Sequence, residues 1–137
     1  MRRFLILVVI LSLFASMNAS GRMEYVALVT QEFDGEPTVT VLHNTLGDIT
    51  WFRNNVGDYR GTLTGAFPQG RVVAFVGRPS VYNVGFYALN RFSDDVIQLN
   101  TSGLTWNGEE LLIEPVDTML AETPITITVY PQKTAPR

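Results

Sequence analysis

The one histidine, His43, follows Val41 at period two near the end of an alternating stretch, and no cysteine or second histidine exists to join it on a metal. Its expected role is structural, and no metal site is assigned. A serine triad would have to recruit His43, but the chain has no Gly-x-Ser-x-Gly elbow, and Ser20, Ser80, Ser93 and Ser102 stand in ordinary turn contexts. Carboxylates are more numerous. Glu32, Asp34 and Glu36 surround a hairpin tip, Asp94-Asp95 opens a strand, and Glu109-Glu110 follows Asn107-Gly108. Paired acids could hydrolyse a glycosidic bond if a cleft fixed their separation and raised one pKa. Acids at hairpin tips ordinarily serve solubility and edge protection, so an acid-pair glycosidase is the distant alternative. A weak calcium site at Glu32, Asp34 and Glu36 is chemically conceivable, although the spacing matches no EF-hand loop.

Aromatic residues form the other constellation. An exposed aromatic on a sheet can stack on a sugar ring, and Trp106 is the leading candidate because it immediately precedes the Asn107-Gly108 turn, where burial is hard to achieve. Phe75, Phe86 and Tyr87 join it as candidate binding residues, because the stretch from Val72 to Leu89 is apolar on both faces of its strands. Such strands want cover on two sides. They are either central core strands or the contact surface of a homo-oligomer or an envelope partner. No catalytic residue and no cofactor is assigned: the chain has no phosphate loop, dinucleotide fingerprint or metalloprotease helix.

The elements that must position these residues are short strands. From Glu24 onward apolar residues recur with period two, in pieces separated by Gly, Pro, Asn and Asp. The expected strands are 25–30, 38–43, 49–53, 59–65, 72–77, 81–89, 96–100, 111–114 and 125–130. Asp34-Gly35 and Asn107-Gly108 suit two-residue type I′ turns, and Phe67-Pro68-Gln69-Gly70 suits a turn with proline second. Strands adjacent in sequence are expected to be adjacent in the sheet. The one helical candidate is 115–121, a turn or two before the last strand.

One hairpin register can be derived. A loop of Asn55, Val56 and Gly57 with Gly57 left-handed pairs Trp51 with Gly61 and Arg53 with Tyr59. It gathers Ile49, Trp51, Tyr59 and Leu63 on one face, and the tryptophan ring takes the space above the missing side chain. About nine antiparallel strands then fit an antiparallel β-sandwich, with an up-and-down β-barrel as the alternative.

Residues 1–19 read as a signal peptide: Arg2 and Arg3, an apolar run of about 12 residues from Phe4 to Ala15, and a small-residue end at Ala19. That run is short of the ~20 residues that span a bilayer. Cleavage after Ala19 leaves a single domain over 20–131 and a polar tail over 132–137, a secreted or periplasmic protein without stable membrane insertion. It also removes two of the 10 basic residues while all 13 acidic ones remain, so the net charge moves from −3 to about −5. Such a surface repels phosphate, which argues against nucleic acid.

The runs 43–54 and 57–67, with the ending Thr123-Pro124-Ile125-Thr126-Ile127-Thr128-Val129-Tyr130-Pro131, resemble small β-rich proteins of bacterial envelope or phage structural origin. The resemblance implies a fold and brings no site residues. The functional expectation is an exported, non-enzymatic module that binds or builds at a bacterial surface, with carbohydrate as one ligand class. The alternative is a carrier of a small apolar ligand inside a barrel.

Overall fold

Each expected alternation is a strand in the computed structural model, which describes residues 21–80 and 84–134. The leader over 1–19, the start of the sixth expected strand at Val81 and the last residues of the tail lie outside that range. Among the described residues there are nine strands and no helix: β1 (Met23–Thr30), β2 (Thr38–Asn44), β3 (Thr50–Asn55), β4 (Asp58–Thr62), β5 (Val72–Val76), β6 (Gly85–Arg91), β7 (Val96–Trp106), β8 (Leu111–Pro115) and β9 (Thr123–Val129).

They form two antiparallel sheets packed face to face. The first runs β2-β1-β9-β5. The second runs β3-β4-β7-β6, with β8 also on β7. β7 holds this sheet together because its eleven residues outlast β4: β4 pairs with the part from Val96 to Asn100, and β8 with the part from Ser102 to Trp106. Period two then fills the space between the layers. Tyr25, Ala27 and Val29 of β1 and Ile125, Ile127 and Val129 of β9 meet Tyr59 of β4 and Ile97 and Leu99 of β7, all buried. Each fully buried Ile or Leu contributes roughly 1.5–3 kcal/mol of apolar transfer.

The derived pairing of Trp51 with Gly61 and of Arg53 with Tyr59 is present, but Asn55 belongs to the strand and not to the expected three-residue loop, which is reduced to Val56-Gly57. Trp51 faces Gly61 and Arg53 faces Tyr59, while Asn55 faces Asp58, so Asn54 is the extra residue of a bulge. Gly57 is left-handed with φ 61°. A Cβ on Gly61 would lie 2.7 Å from Ile49, 2.9 Å from Ile97 and 3.0 Å from Trp51, so the glycine is required by close packing. The Trp51 Nε1–H also donates to the Tyr25 hydroxyl at 3.3 Å and ties the two sheets together.

Five sequence expectations are corrected. The barrel is not formed, because the strands divide between two open sheets, and with it goes the enclosed interior that a barrel carrier would use. Sequence neighbours pair only within β1-β2, β3-β4, β6-β7 and β7-β8; the other connections cross between layers or within a sheet, as a sandwich requires. The two-residue type I′ turns are replaced. At the first, Gly35 N donates to Glu32 O at 3.2 Å and the positive φ falls on Phe33, because the Gln31 amide holds Gly35 O at 2.9 Å in a longer loop. At the second, Trp106 faces Leu111 across a four-residue loop whose Asn107 Oδ1 accepts from the N–H groups of Glu109 and Glu110, both at 2.9 Å. The proline turn is shifted by one residue, with Arg71 N donating to Pro68 O at 3.3 Å and Gly70 at φ 75°.

The fifth correction is the helix at 115–121. That segment's backbone is consumed by neighbours. Val116 N donates to Thr101 O, Thr118 N to Gln31 Oε1 and Ala121 N to Thr123 Oγ1. Leu120 O accepts from Gln31 N and Met119 O from the Tyr87 hydroxyl. Tertiary partners for these groups leave nothing with which to build a helical ladder.

Candidate functional site

Two places concentrate chemistry. The first is a polar hub at the tip of the β3–β4 hairpin. Asp117 accepts from Arg53 Nη2 at 2.7 Å and Nε at 3.1 Å, from Gly57 N at 3.0 Å and from the Tyr59 hydroxyl at 3.1 Å. The single proton of that hydroxyl is shared between Asp117 and Gln31 Oε1, which lies beside it. Hydrogen bonding from the Arg53 guanidinium, opposed by burial and helped by Gly57, Tyr59 and Gln31, brings the Asp117 carboxyl down to about 2. Burial, with the Asp117 charge beside it, pushes the Tyr59 hydroxyl well above its usual range. An acid ionised throughout the neutral range with both oxygens occupied is a staple between loops, not a proton donor.

The second is the outer face of the second sheet. Residues directly opposed in an antiparallel pair share a face, and along β7 the outward positions are Gln98, Asn100, Ser102, Leu104 and Trp106. Opposite them stand Arg60 and Asn90, Asp58 and Ala88, Phe86 and Pro115, Ile113, and Leu111 in turn. The face is therefore divided along its length. Its β4 half is polar and satisfied within itself: Asp58 accepts from Arg60 Nε at 3.0 Å, Gln98 Nε2 at 2.8 Å and Asn54 Nδ2 at 2.8 Å, and the Arg60 guanidinium lies 4.0 Å from the centre of the Phe92 ring. Burial raises the Asp58 pKa, but these hydrogen bonds outweigh it and leave the carboxyl below its ordinary value.

The β8 half is apolar and open. Phe86 is 55% exposed, Ile113 62%, Leu111 59% and Trp106 64%. Leu104 joins them, and beside it and Val84 two open depressions of about 390 and 320 Å³ meet.

Trp106 and Phe86 are thus brought to one face, and the other two candidates are not. Phe75 is exposed on the outside of the first sheet, paired with Thr126. Tyr87 points into the sandwich, packs against the core, and donates its hydroxyl to Met119 O at 3.1 Å. The stretch from Val72 to Leu89 accordingly splits between two sheets, and its outward residues Val73, Phe75 and Phe86 are uncovered. Leu104, Leu111 and Ile113 were missed. Their signal was a second two-sided apolar run, Leu111-Leu112-Ile113, next to the Asn107-Gly108 turn.

Some of the acids considered for catalysis take part in structural hydrogen bonds. The Asp94 and Asp95 carbonyls accept from Phe67 N and Leu63 N, the Asp95 carboxylate accepts from Gly65 N at 2.7 Å, and Glu36 accepts from Arg53 N at 2.7 Å. His43 is exposed, its Nε2 3.9 Å from Glu24 Oε2. Among the described residues no three His, Asp or Glu side chains converge as a metal site, and no helix is long and apolar enough to cross a membrane.

The class defined by this architecture is an antiparallel β-sandwich with an uncovered apolar half-face. Comparison with protein-family models, curated proteins and solved structures gives no match.

Proposed function

We propose that the chain is an exported, non-enzymatic β-sandwich that works as a binding or structural module at a bacterial envelope or surface, and that its contact face is the apolar half of the second sheet. The observation that carries this reading is the exposure of Phe86, Leu104, Trp106, Leu111 and Ile113 on one face. Contiguous apolar surface of this kind marks contact with another macromolecule. The patch is mainly aliphatic around one tryptophan, and Asn54, Asp58, Arg60 and Gln98 of the same sheet bond to one another, a composition that favours a protein over a sugar.

Photo-crosslinking in the producing cells tests it, with a benzophenone amino acid at position 86 or 113, and at position 62 or 126 for comparison. Discrete protein adducts confined to 86 and 113 are expected. Equal labelling at all four positions, or none, would remove the face from consideration.

A further inference from the structure

The outer part of the β7–β8 ribbon has no sandwich beneath it. Every residue in 104–115 except Leu112 is exposed, on both faces of the ribbon, and among the described residues β8 pairs only with β7. A two-stranded ribbon alone in water is marginal. This arm is also acidic, with Glu109, Glu110 and Glu114 as its only charged side chains, set among Leu104, Trp106, Leu111 and Ile113. Among the described residues nothing apolar covers it and no countercharge pairs with it.

Both are present at the other end of the molecule. Phe67 N donates to Asp94 O just ahead of β7, so the turn at 68–71 lies where β7 begins, whereas the arm lies where β7 ends. Eleven residues at ~3.3 Å each separate the two ends by roughly 35 Å. At the far end an open groove of about 930 Å³ presents Val73, Tyr130 and two prolines, and among the described residues Arg71 and Lys133 are the charged groups in its lining. Val73 is 39% exposed and Tyr130 43%. Lys133 is the only lysine in the chain.

We propose that the arm of one copy seats in the groove of the next, covering Trp106 and Leu111 with Val73 and Tyr130 and setting Glu109 and Glu110 against Lys133 and Arg71. This rests on the surface-contact reading above and names the partner as a second copy of the chain. The arm cannot reach its own groove, and the two surfaces differ, so the contact is heterologous. It propagates head to tail, into a ring if the rotation closes and a filament if it does not. Charge complementarity selects this occupant: an acidic tip is repelled by an anionic membrane and attracted by the basic end of its neighbour.

A water-soluble carbodiimide, which joins a carboxylate to a contacting amine, reads the contact directly, because Lys133 and the N-terminal amine are the only amines available. Treating the purified full chain at rising concentration in low salt is expected to give a ladder of dimers and larger species, with Lys133 linked to Glu109 or Glu110 by mass spectrometry. Light scattering should show the assemblies dispersing near 1 M salt, where the screening length falls to about 3 Å. Lys133→Glu with Arg71→Glu should abolish assembly, as should Glu109→Lys with Glu110→Lys, and equimolar mixing of the two charge-reversed proteins should restore dimers. All four positions lie outside the core, and matching circular dichroism spectra confirm that the variants fold. A monomer at every concentration, or adducts mapping away from the arm, overturns the proposal. If adducts at 86 and 113 persist in cells while the purified chain is monomeric, the contact face stands with a different partner; if they vanish as well, both readings fall.

Discussion

Asp117 shows how one side chain organises three loops. Its carboxylate gathers Arg53, Gly57 and Tyr59, and through Tyr59 it is coupled to Gln31, which in turn holds Thr118 N. Its folded pKa of about 2 lies below the ordinary 3.8, so its contribution is fully present above about pH 4 and disappears as the pH falls toward 2. Asp117→Asn should cost about 2 kcal/mol in urea unfolding at pH 7, and it should flatten the acid limb between pH 4 and 2. An unchanged acid limb would mean that Asp117 is not the group being titrated. Gly57 is the other decisive residue. It is left-handed, and a Cβ there would run into the Thr101 carbonyl oxygen and lie 2.9 Å from Val116 N. Gly57→Val combines backbone strain with overlap and should cost about 3 kcal/mol or more, whereas Gly70→Ala, at φ 75° with open space around it, should cost about 1 kcal/mol. Thermal unfolding of the two variants side by side separates strain from crowding.

At the level of elements, two isoleucines measure the difference between core strand and arm. Ile127 lies at the centre of β9, between β1 and β5, with 0% exposure, whereas Ile113 of β8 is 62% exposed. Ile127→Ala should lose about 2–5 kcal/mol to transfer and cavity terms, while Ile113→Ser should stay within about 0.5 kcal/mol. A large loss at Ile113 would mean that the arm folds back on its own domain, contrary to its exposure. β7 makes both roles possible, since its first half is a central strand and its second half carries the arm. Its expected end at Asn100 fell short because Thr101, Ser102, Gly103 and Thr105 break the apolar pattern. Thr101 is nonetheless buried, its hydroxyl donating to Val116 O at 2.6 Å.

For the molecule as a whole, one shared core between two sheets predicts one cooperative transition. The two tryptophans report it from different surroundings: Trp51 is packed over Gly61 against Tyr25, and Trp106 stands at the arm tip. Trp106→Phe should leave a protein whose emission is blue-shifted from wild type and changes in step with circular dichroism during unfolding. Two separate transitions would show that the sheets are independent units.

The amino-acid order alone determined the strands, because alternation at period two is a local property that each stretch carries with it. It also determined the β3–β4 register, since a left-handed Gly57 and a Trp51 that fits only over Gly61 are neighbours across one short loop. Sheet order and the site were decided by tertiary structure. Arg53 and Asp117 are 64 positions apart, and no local pattern couples them. The backbone of 115–121 gave up helix for partners brought in from Gln31, Tyr87 and Thr101. Whether an outward residue is covered depends on which layer lies over it. Tyr87 and Phe86 are therefore alike in sequence and opposite in fate: one faces the other sheet, and the other faces solvent beside Ser102.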